Sequence, residues 1–341
     1  MKMSFNNEYR LPNIQNKRLV DPHVVIIGAG ASLAACQFDK NSNQVPLLKN
    51  IHHVLGLTEK LKQYGFSNEE MQDFELLYSG IHEVPKYAEL QSELESAIYE
   101  YFQKLELPEY PTYYDYLLLS LTQKDAIISF NWDPFLIQAF RRNFCVGNIP
   151  QLIFPHGNTA IRICYDCHIK EYGDISKCSC GKEFSRMPLL FPVEKKSYSD
   201  KSIIQGEWYR AQWFLSRAAG ITVFGYGAPD TDVEAIALMK NAYTESKIKQ
   251  IAPFVIINLP SEEQEQKKKW KRFFSSQMVL YCTSFEDSML WRNPRVSLET
   301  LFDAILQQHP REQKGSYIHF EDLLSLQKFA KSISGFEMYF D

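Results

Sequence analysis

Val24 to Ile27 is an unbroken apolar, mostly β-branched run, and Gly28-Ala29-Gly30-Ala31-Ser32 follows it at once. Four such residues in a row suit a strand buried on both faces, as in a parallel sheet, where no polar alternation is needed. A strand that ends in Gly-x-Gly can turn sharply and bring backbone N–H groups up to a phosphate. Position 33 is Leu, so the third glycine of the full dinucleotide fingerprint is missing. Alone, the turn reads equally as an ordinary strand-to-helix junction.

The same pattern recurs along the chain. Asp125–Phe130 ends in Asn131-Trp132-Asp133-Pro134, and Gln151–Phe154 ends in Pro155-His156-Gly157-Asn158. Ile221–Phe224 ends in Gly225-Tyr226-Gly227, Phe254–Ile257 ends in Asn258, and Val279–Cys282 reads as a last strand. Helical patterns lie between them: Tyr113–Leu121, a run through Arg141, Trp208–Ala218, and Leu298–Gln307. Thr231 and Glu234 form a capping-box pair that opens a helix to Tyr243, and Leu33–Cys36 begins either a helix or a loop. Short apolar strands alternating with helices predict an α/β fold, Rossmann-like, with a mainly parallel sheet covered on both faces. Ligands of such sheets bind beyond the carboxyl ends of the strands. Ser32, Asn131, His156, Gly225 and Asn258 are therefore predicted to line one crevice.

Between Thr58 and Leu107 apolar residues recur at helical spacing, as in Leu90, Leu94, Ile98 and Tyr101. They predict a helical insertion that carries no recognisable chemistry. The expected organisation is a sheet domain from 20–57, 115–157 and 190–310, an insertion at 58–114, a cysteine module at 158–189 and a helical tail at 311–341. Met1 to Asp21 reads as a polar lead-in, and Met1–Arg10 lacks the apolar core of a secretion signal. In the tail, Leu323, Leu324, Leu326 and Phe329 mark an amphipathic helix that packs on the domain or docks a partner.

Cys164-x-x-Cys167 and Cys178-x-Cys180 approach a zinc-ribbon pattern and predict a structural Zn2+, with His168 an alternative to one sulfur. Full thiolate ligation leaves no open position, so the zinc is expected to have no catalytic part. Cys36, Cys145 and Cys282 sit in or beside apolar runs and are expected to be buried small groups. Seven cysteines, four of them clustered, suit a reducing compartment, hence a cytoplasmic protein. A net charge of -4 gives no push toward nucleic acid. The basic run Lys267–Arg272 follows Glu262, Glu263 and Glu265 and reads as a solvated helix face. No run approaches the roughly 18 apolar residues of a membrane span.

Taken in order, these segments resemble the sirtuin-like family of NAD-consuming domains from about Val24 to Leu306. Gly28–Ser32 resembles its first phosphate loop, Asn131-Trp132-Asp133 its Asn-x-Asp, and His156-Gly157 its His-Gly. The four cysteines resemble its zinc module, Gly225–Asp232 its second glycine loop, and Asn258 its adenosine-ribose contact. The resemblance implies NAD+ as substrate, held by Gly28, Ala29, Gly30, Ser32, Gly225, Tyr226, Gly227, Asp232 and Asn258. Asn131 would position the reacting groups and His156 would serve as base; Asp133 would orient the ribose or cap the following helix. Sirtuin deacylases continue the first loop as Gly-Ile-Pro-Asp-Phe-Arg, whereas this chain reads Leu33-Ala-Ala-Cys-Gln-Phe-Asp39. The departure weighs against deacylation more than against NAD binding.

The wording of the second glycine loop and of Ser129–Asp133 looks closer to a bacterial anti-phage branch whose members cleave NAD outright, often under a partner's control. What this implies is an NAD+ hydrolase that acts as a defence effector. A homo-oligomer and a hexameric translocase-type ATPase partner are implied the same way, while net charge and the apolar runs lead to the expectation of no nucleic-acid or membrane contact. An NAD-dependent protein deacylase and a non-enzymatic NAD- or ADP-ribose-binding module are the alternatives.

Overall fold

The apolar runs form the centre of the molecule. The computed structural model describes residues 14–15, 18–173, 175–192, 202–228, 232–244, 252–271, 273, 279–306 and 315–334. Most of the lead-in, Thr231 of the expected capping pair, Arg272, Gln307 and both ends of the tail lie outside them.

In chain order, a short antiparallel pair, β1 (Ile14–Gln15) and β2 (Arg18–Leu19), precedes β3 (His23–Ile27) and α1 (Ala29–Ala35). α2 (Ile51–Val54) leads into the insertion, which comprises α3 (Thr58–Gln63), α4 (Asn68–Gln72), α5 (Phe74–Ile81) and α6 (Ala88–Gln103). Then come α7 (Tyr113–Leu119), β4 (Ala126–Ser129), α8 (Phe135–Asn143) and β5 (Gln151–Ile153). The cysteine module holds β6 (Arg162–Cys164), β7 (Ile169–Glu171) and β8 (Ser185–Arg186). The remainder is α9 (Ser202–Arg217), β9 (Gly220–Phe224), α10 (Val233–Thr244), β10 (Phe254–Ile257), α11 (Glu263–Trp270), β11 (Val279–Cys282), α12 (Met289–Arg292), α13 (Ser297–Leu306) and α14 (Leu323–Ser334).

The main sheet runs β11-β10-β9-β3-β4-β5 and is parallel throughout. Every residue of β3, β4, β9 and β10 is buried, which is why these strands read as continuous apolar runs. Ile27 pairs with both Ser129 and Phe224, so β3, β4 and β9 end level with one another. Their following loops emerge side by side.

Helix α7 is pinned from two directions. Thr112 and Asp115 form a capping box, and the fully buried Asp115 carboxylate also pairs with Arg142 and accepts from Asn143 Nδ2 at 2.7 Å, both on α8. The insertion shares the main core: Leu90, Leu94 and Ile98 are fully buried in the same cluster as Val24–Ile27, and Tyr101 packs against it half-buried. α14 packs on the domain, with Leu326, Ala330 and Ile333 buried and Gln327 donating to the Arg142 carbonyl at 2.8 Å. The basic run is a solvated face, with Lys267 and Lys269 paired to Glu263 and Glu265 one turn earlier, while Trp270 is buried beneath.

One expectation about the lone cysteines fails. Cys36 is buried, but Cys282 is half-buried and Cys145 is exposed. Cys145 sits in the single turn 144–146 after α8, where no residue is buried, so adjacency to apolar residues did not imply burial. Among the described residues no helix is long and apolar enough to cross a membrane.

Candidate active site

Two glycine turns interlock at the head of the sheet. Gly28 N–H donates to the Phe224 carbonyl at 3.2 Å, and Gly30 N–H to the Gly225 carbonyl at 2.9 Å. The backbones approach so closely that a Cβ at Gly225 would stand 2.2 Å from the Ala31 nitrogen, and Gly225 also has a positive φ of 61°. Here glycine is required by backbone meeting backbone. The N–H groups of Gly28 and Gly30 are thus already bonded within the protein, contrary to the expectation of bare donors at these positions.

Around this junction lies a cavity of about 290 Å3. Gly28, Ala29, Ser32, Asn131, Asp133, His156, Gly225, Tyr226, Gly227 and Asp232 all line it, so the loops after β3, β4, β5 and β9 meet there. Gly30 and Asn258 do not line it. Gly30 faces the second glycine turn. Asn258 follows β10, which β9 separates from β3, and its Oδ1 accepts the Leu259 N–H at 2.8 Å.

The loops after β4 and β5 are tied together. Buried Asn158 donates from Nδ2 to the Asp133 carbonyl at 2.6 Å and to the Asn131 carbonyl at 3.2 Å. Thr159 donates its N–H and hydroxyl to the Trp132 carbonyl at 2.9 and 2.8 Å. Gly157 has φ +79°, and a Cβ there would lie 2.0 Å from the Pro188 carbonyl oxygen.

Asn131 is held by its amide nitrogen, 2.8 Å from the Gly28 carbonyl, 2.9 Å from Ser32 Oγ and 3.0 Å from the Tyr114 hydroxyl. A carbonyl only accepts, so nitrogen occupies that end of the amide and Oδ1 is the other. Asp133 accepts the Ser32 hydroxyl at 2.6 Å and the Phe135 N–H at 3.2 Å. Burial pushes its carboxyl up to about 6, against the pull of these two bonds. With its hydrogen directed at a carboxylate, Ser32 is not a free donor for a phosphate. His156 stands edge-on to Phe130, ring centres 4.7 Å apart, and Phe130 stacks on Tyr226 at 4.5 Å and 12°. Tyr226 donates its hydroxyl to Asp232 at 2.7 Å.

Sequence reasoning missed several residues of the wall. Pro46, Leu48, Ile51, Glu75, Phe102, Phe130, Trp132, Leu190 and Pro192 also line the cavity. The insertion is therefore not without chemistry: Glu75 on α5 adds a carboxylate. Helical periodicity showed which face of the insertion is buried but not what it is buried against. Tyr114 and Asn158 were missed as well. Asn158 stands directly after the His-Gly pair, a position that marks it as a candidate; nothing around Tyr114 marked it.

In the cysteine module, the Sγ atoms of Cys164, Cys167, Cys178 and Cys180 all lie within 4.8 Å of one another, Cys164 and Cys180 at 3.6 Å. With zinc–sulfur bonds of about 2.3 Å, the edges of a tetrahedral site are about 3.8 Å long. The four thiols fit one structural Zn2+. His168, in the β6–β7 turn at φ +53°, is not one of the converging groups, so the alternative of a histidine ligand falls.

No protein-family model matches the chain, and no curated protein matches it. Solved structures do. A structure described as Sir2 bound to acetylated peptide is 17% identical, with 75% of this chain and 87% of that chain covered at a TM-score of 0.34. A Sir2 homologue–ADP ribose complex is 14% identical over 75% of this chain and 85% of its own, at 0.38. A structure concerned with the mechanism and regulation of Sir2 enzymes is 16% identical over 76% and 86%, at 0.37. The chain is similar to these Sir2 structures over about three quarters of its length.

Proposed function

We propose that this protein is an NAD+ glycohydrolase that breaks the nicotinamide–ribose bond and releases nicotinamide and ADP-ribose. The observation that carries the reading is the meeting of Asn131, Asp133 and His156, from adjacent strand ends, on one cavity walled mainly by aromatic and aliphatic side chains, with Ser32, Glu75 and Asp232 as its further polar groups. Nicotinamide leaves NAD+ as a neutral molecule, so no general acid is needed. The transition state resembles an oxocarbenium ion, as in glycoside cleavage. The Asp133 carboxylate supplies negative charge for that cation or an acceptor for a ribose hydroxyl. The Asn131 amide oxygen holds the attacking water, and His156 takes its proton. Phe102, Phe130 and Trp132 keep bulk water out and receive the flat pyridine ring. A positioned base is worth about 10²–10⁴-fold in rate.

The test is nicotinamide release by the full chain and by Asn131→Ala and His156→Ala, with ADP-ribose binding and thermal melts as folding controls. Turnover should fall at least about 10²-fold in each variant; undiminished turnover in both overturns the assignment. NAD+ loss that requires an acyl-lysine peptide would make the protein a deacylase. Binding without turnover, with candidate partners present, would make it a binding module. The wider role, a cytoplasmic defence effector that acts as a homo-oligomer and is switched on by a hexameric translocase-type ATPase, rests on the sequence resemblance. It is tested by NAD+ loss with and without such an ATPase.

A further inference from the structure

Tyr114 is fully buried on α7 and belongs to none of the strand-end loops. Its phenol oxygen nevertheless lies 2.7 Å from Ser32 Oγ and 3.0 Å from Asn131 Nδ2. The direction of every bond in this cluster is fixed by its two ends, because the Gly28 carbonyl and the Asp133 carboxylate accept and do not donate. Ser32 gives its single hydrogen to Asp133 at 2.6 Å, so its oxygen must accept from Tyr114. The phenol oxygen in turn accepts from the Asn131 amide, which shares that hydrogen with Ser32 Oγ at 2.9 Å and gives its other hydrogen to Gly28 at 2.8 Å. The hydrogens thus run in one sense, from Asn131 to Ser32 both directly and through Tyr114, and from Ser32 to Asp133.

We infer that Tyr114 is a positioning residue of the site: together with the Gly28 carbonyl and Ser32 Oγ its hydroxyl holds the Asn131 amide nitrogen, with Oδ1 unbonded among the described residues, and its own hydrogen turns the Ser32 hydroxyl onto Asp133. α7 is suited to the task because the buried Asp115 pins it to α8 through Arg142 and Asn143. The phenol stays protonated, since burial holds it well above the usual tyrosine range. Each bond in a one-way chain polarises the next, so the hydroxyl that reaches Asp133 is a stronger donor for having accepted from Tyr114. The other titratable groups nearby are Cys36, whose thiol burial pushes up to about 12, and His156, Glu75 and Asp232 on the walls of the cavity.

This inference rests on the proposed hydrolase reading for its kinetic consequence but not for its structural one. Tyr114→Phe in the full chain removes one oxygen and keeps the ring. The carboxyl of Asp133, followed by 13C NMR across pH, should titrate at a pH about half a unit to one unit higher than in the parent. Nicotinamide release should lose about tenfold in kcat, the worth of roughly one hydrogen bond, with KM within about twofold. Ser32→Ala cuts the chain on the far side of Tyr114 and should raise the same carboxyl. Combining the two should add little, because both break one path. An Asp133 titration unchanged in Tyr114→Phe overturns the inference, even if the melting temperature falls, since that pattern describes a packing role only. If Tyr114→Phe does not fold, an unshifted carboxyl in Ser32→Ala overturns it instead. A shifted carboxyl in a protein without NAD+ turnover supports the positioning role and rejects the hydrolase.

Discussion

Asn158 Nδ2 stands 2.6 Å from the carbonyl oxygen of Asp133, so the loop after β5 is fastened directly to the loop after β4. The same nitrogen reaches the Asn131 carbonyl at 3.2 Å, and Oδ1 accepts the Ala160 N–H at 3.0 Å. Asn158→Ala would strand two carbonyls and an N–H at this junction. Each buried orphan costs about 1–3 kcal/mol, so the variant should lose about 3 kcal/mol by urea denaturation. Its NAD+ turnover should fall beyond what the folded fraction explains, because Asn131 and His156 sit on the two loops that it would loosen from each other. A loss below about 0.5 kcal/mol, within the range of neutral surface changes, would contradict this.

The interlocked glycines are separable from ordinary positive-φ glycines. At Gly225 a Cβ would meet the Ala31 nitrogen at 2.2 Å, whereas Gly56, at φ +69°, has no heavy atom within 4 Å. Gly56→Ala should cost about 1 kcal/mol of backbone strain. Gly225→Ala must in addition push the main chain of one glycine turn away from the other, and it should lower the melting temperature by several times as much. Equal costs at the two sites would show that the close approach is not a constraint.

Two buried groups set opposing pH dependences. Asp133 titrates at about 6 in the fold against 3.8 ordinarily, so between these values the folded state binds more protons than the unfolded. Its contribution therefore worsens as pH rises, by about 3 kcal/mol once pH exceeds 6. Burial lowers His23 from 6.5 to about 4, and it bonds Ser297 and Thr222 as a neutral ring. There the unfolded state binds more protons, so its contribution is full above pH 6.5 and falls by about 3 kcal/mol as pH drops to 4. Asp133→Asn removes the first effect and keeps one acceptor, for either Ser32 or the Phe135 N–H, of the two that the carboxylate supplies. It should be about 1–3 kcal/mol more stable than the parent at pH 7.5, and lose more stability than the parent does between pH 6.5 and 4. Denaturation across pH measures both; a variant less stable at pH 7.5 would refute the sign.

Zinc should be present at one ion per chain by elemental analysis. Structural zinc contributes about 10 kcal/mol or more in small peptides. Chelation, or Cys178→Ser, should open the segment 160–187 to protease while far-UV signal from the main sheet persists. Undetectable zinc in purified protein, or a protease pattern indifferent to chelation, would remove the assignment.

Much of the fold was legible because fully buried parallel strands leave an unambiguous trace. Phe254–Ile257 and Val279–Cys282 run as read, and the strand-end residues fell at the same edge of the sheet. Most of the candidate site follows from that placement alone. What stayed illegible has a physical reason in each case. Glycine at 28, 30 and 225 reads the same whether a phosphate or another backbone approaches it, and the structure shows the backbone. Tyr114 is a buried aromatic among Tyr113, Tyr116 and leucines, and only the direction of its hydroxyl distinguishes it. Glu75 is one acidic residue among many on a helical surface until the cavity is seen beside it.

The stretch that closes the cavity with Leu48, Ile51, Glu75 and Phe102, made of the insertion and the segment just before it, is a different part of the chain from the strand-end loops bearing Asn131, Asp133 and His156. On the proposed hydrolase reading, the bond-breaking machinery and the gauge that measures an incoming molecule are therefore written in separate passages of the sequence. Redrawing the helices between 48 and 103 can change which molecules are admitted while the apparatus at the sheet's edge is left as it stands.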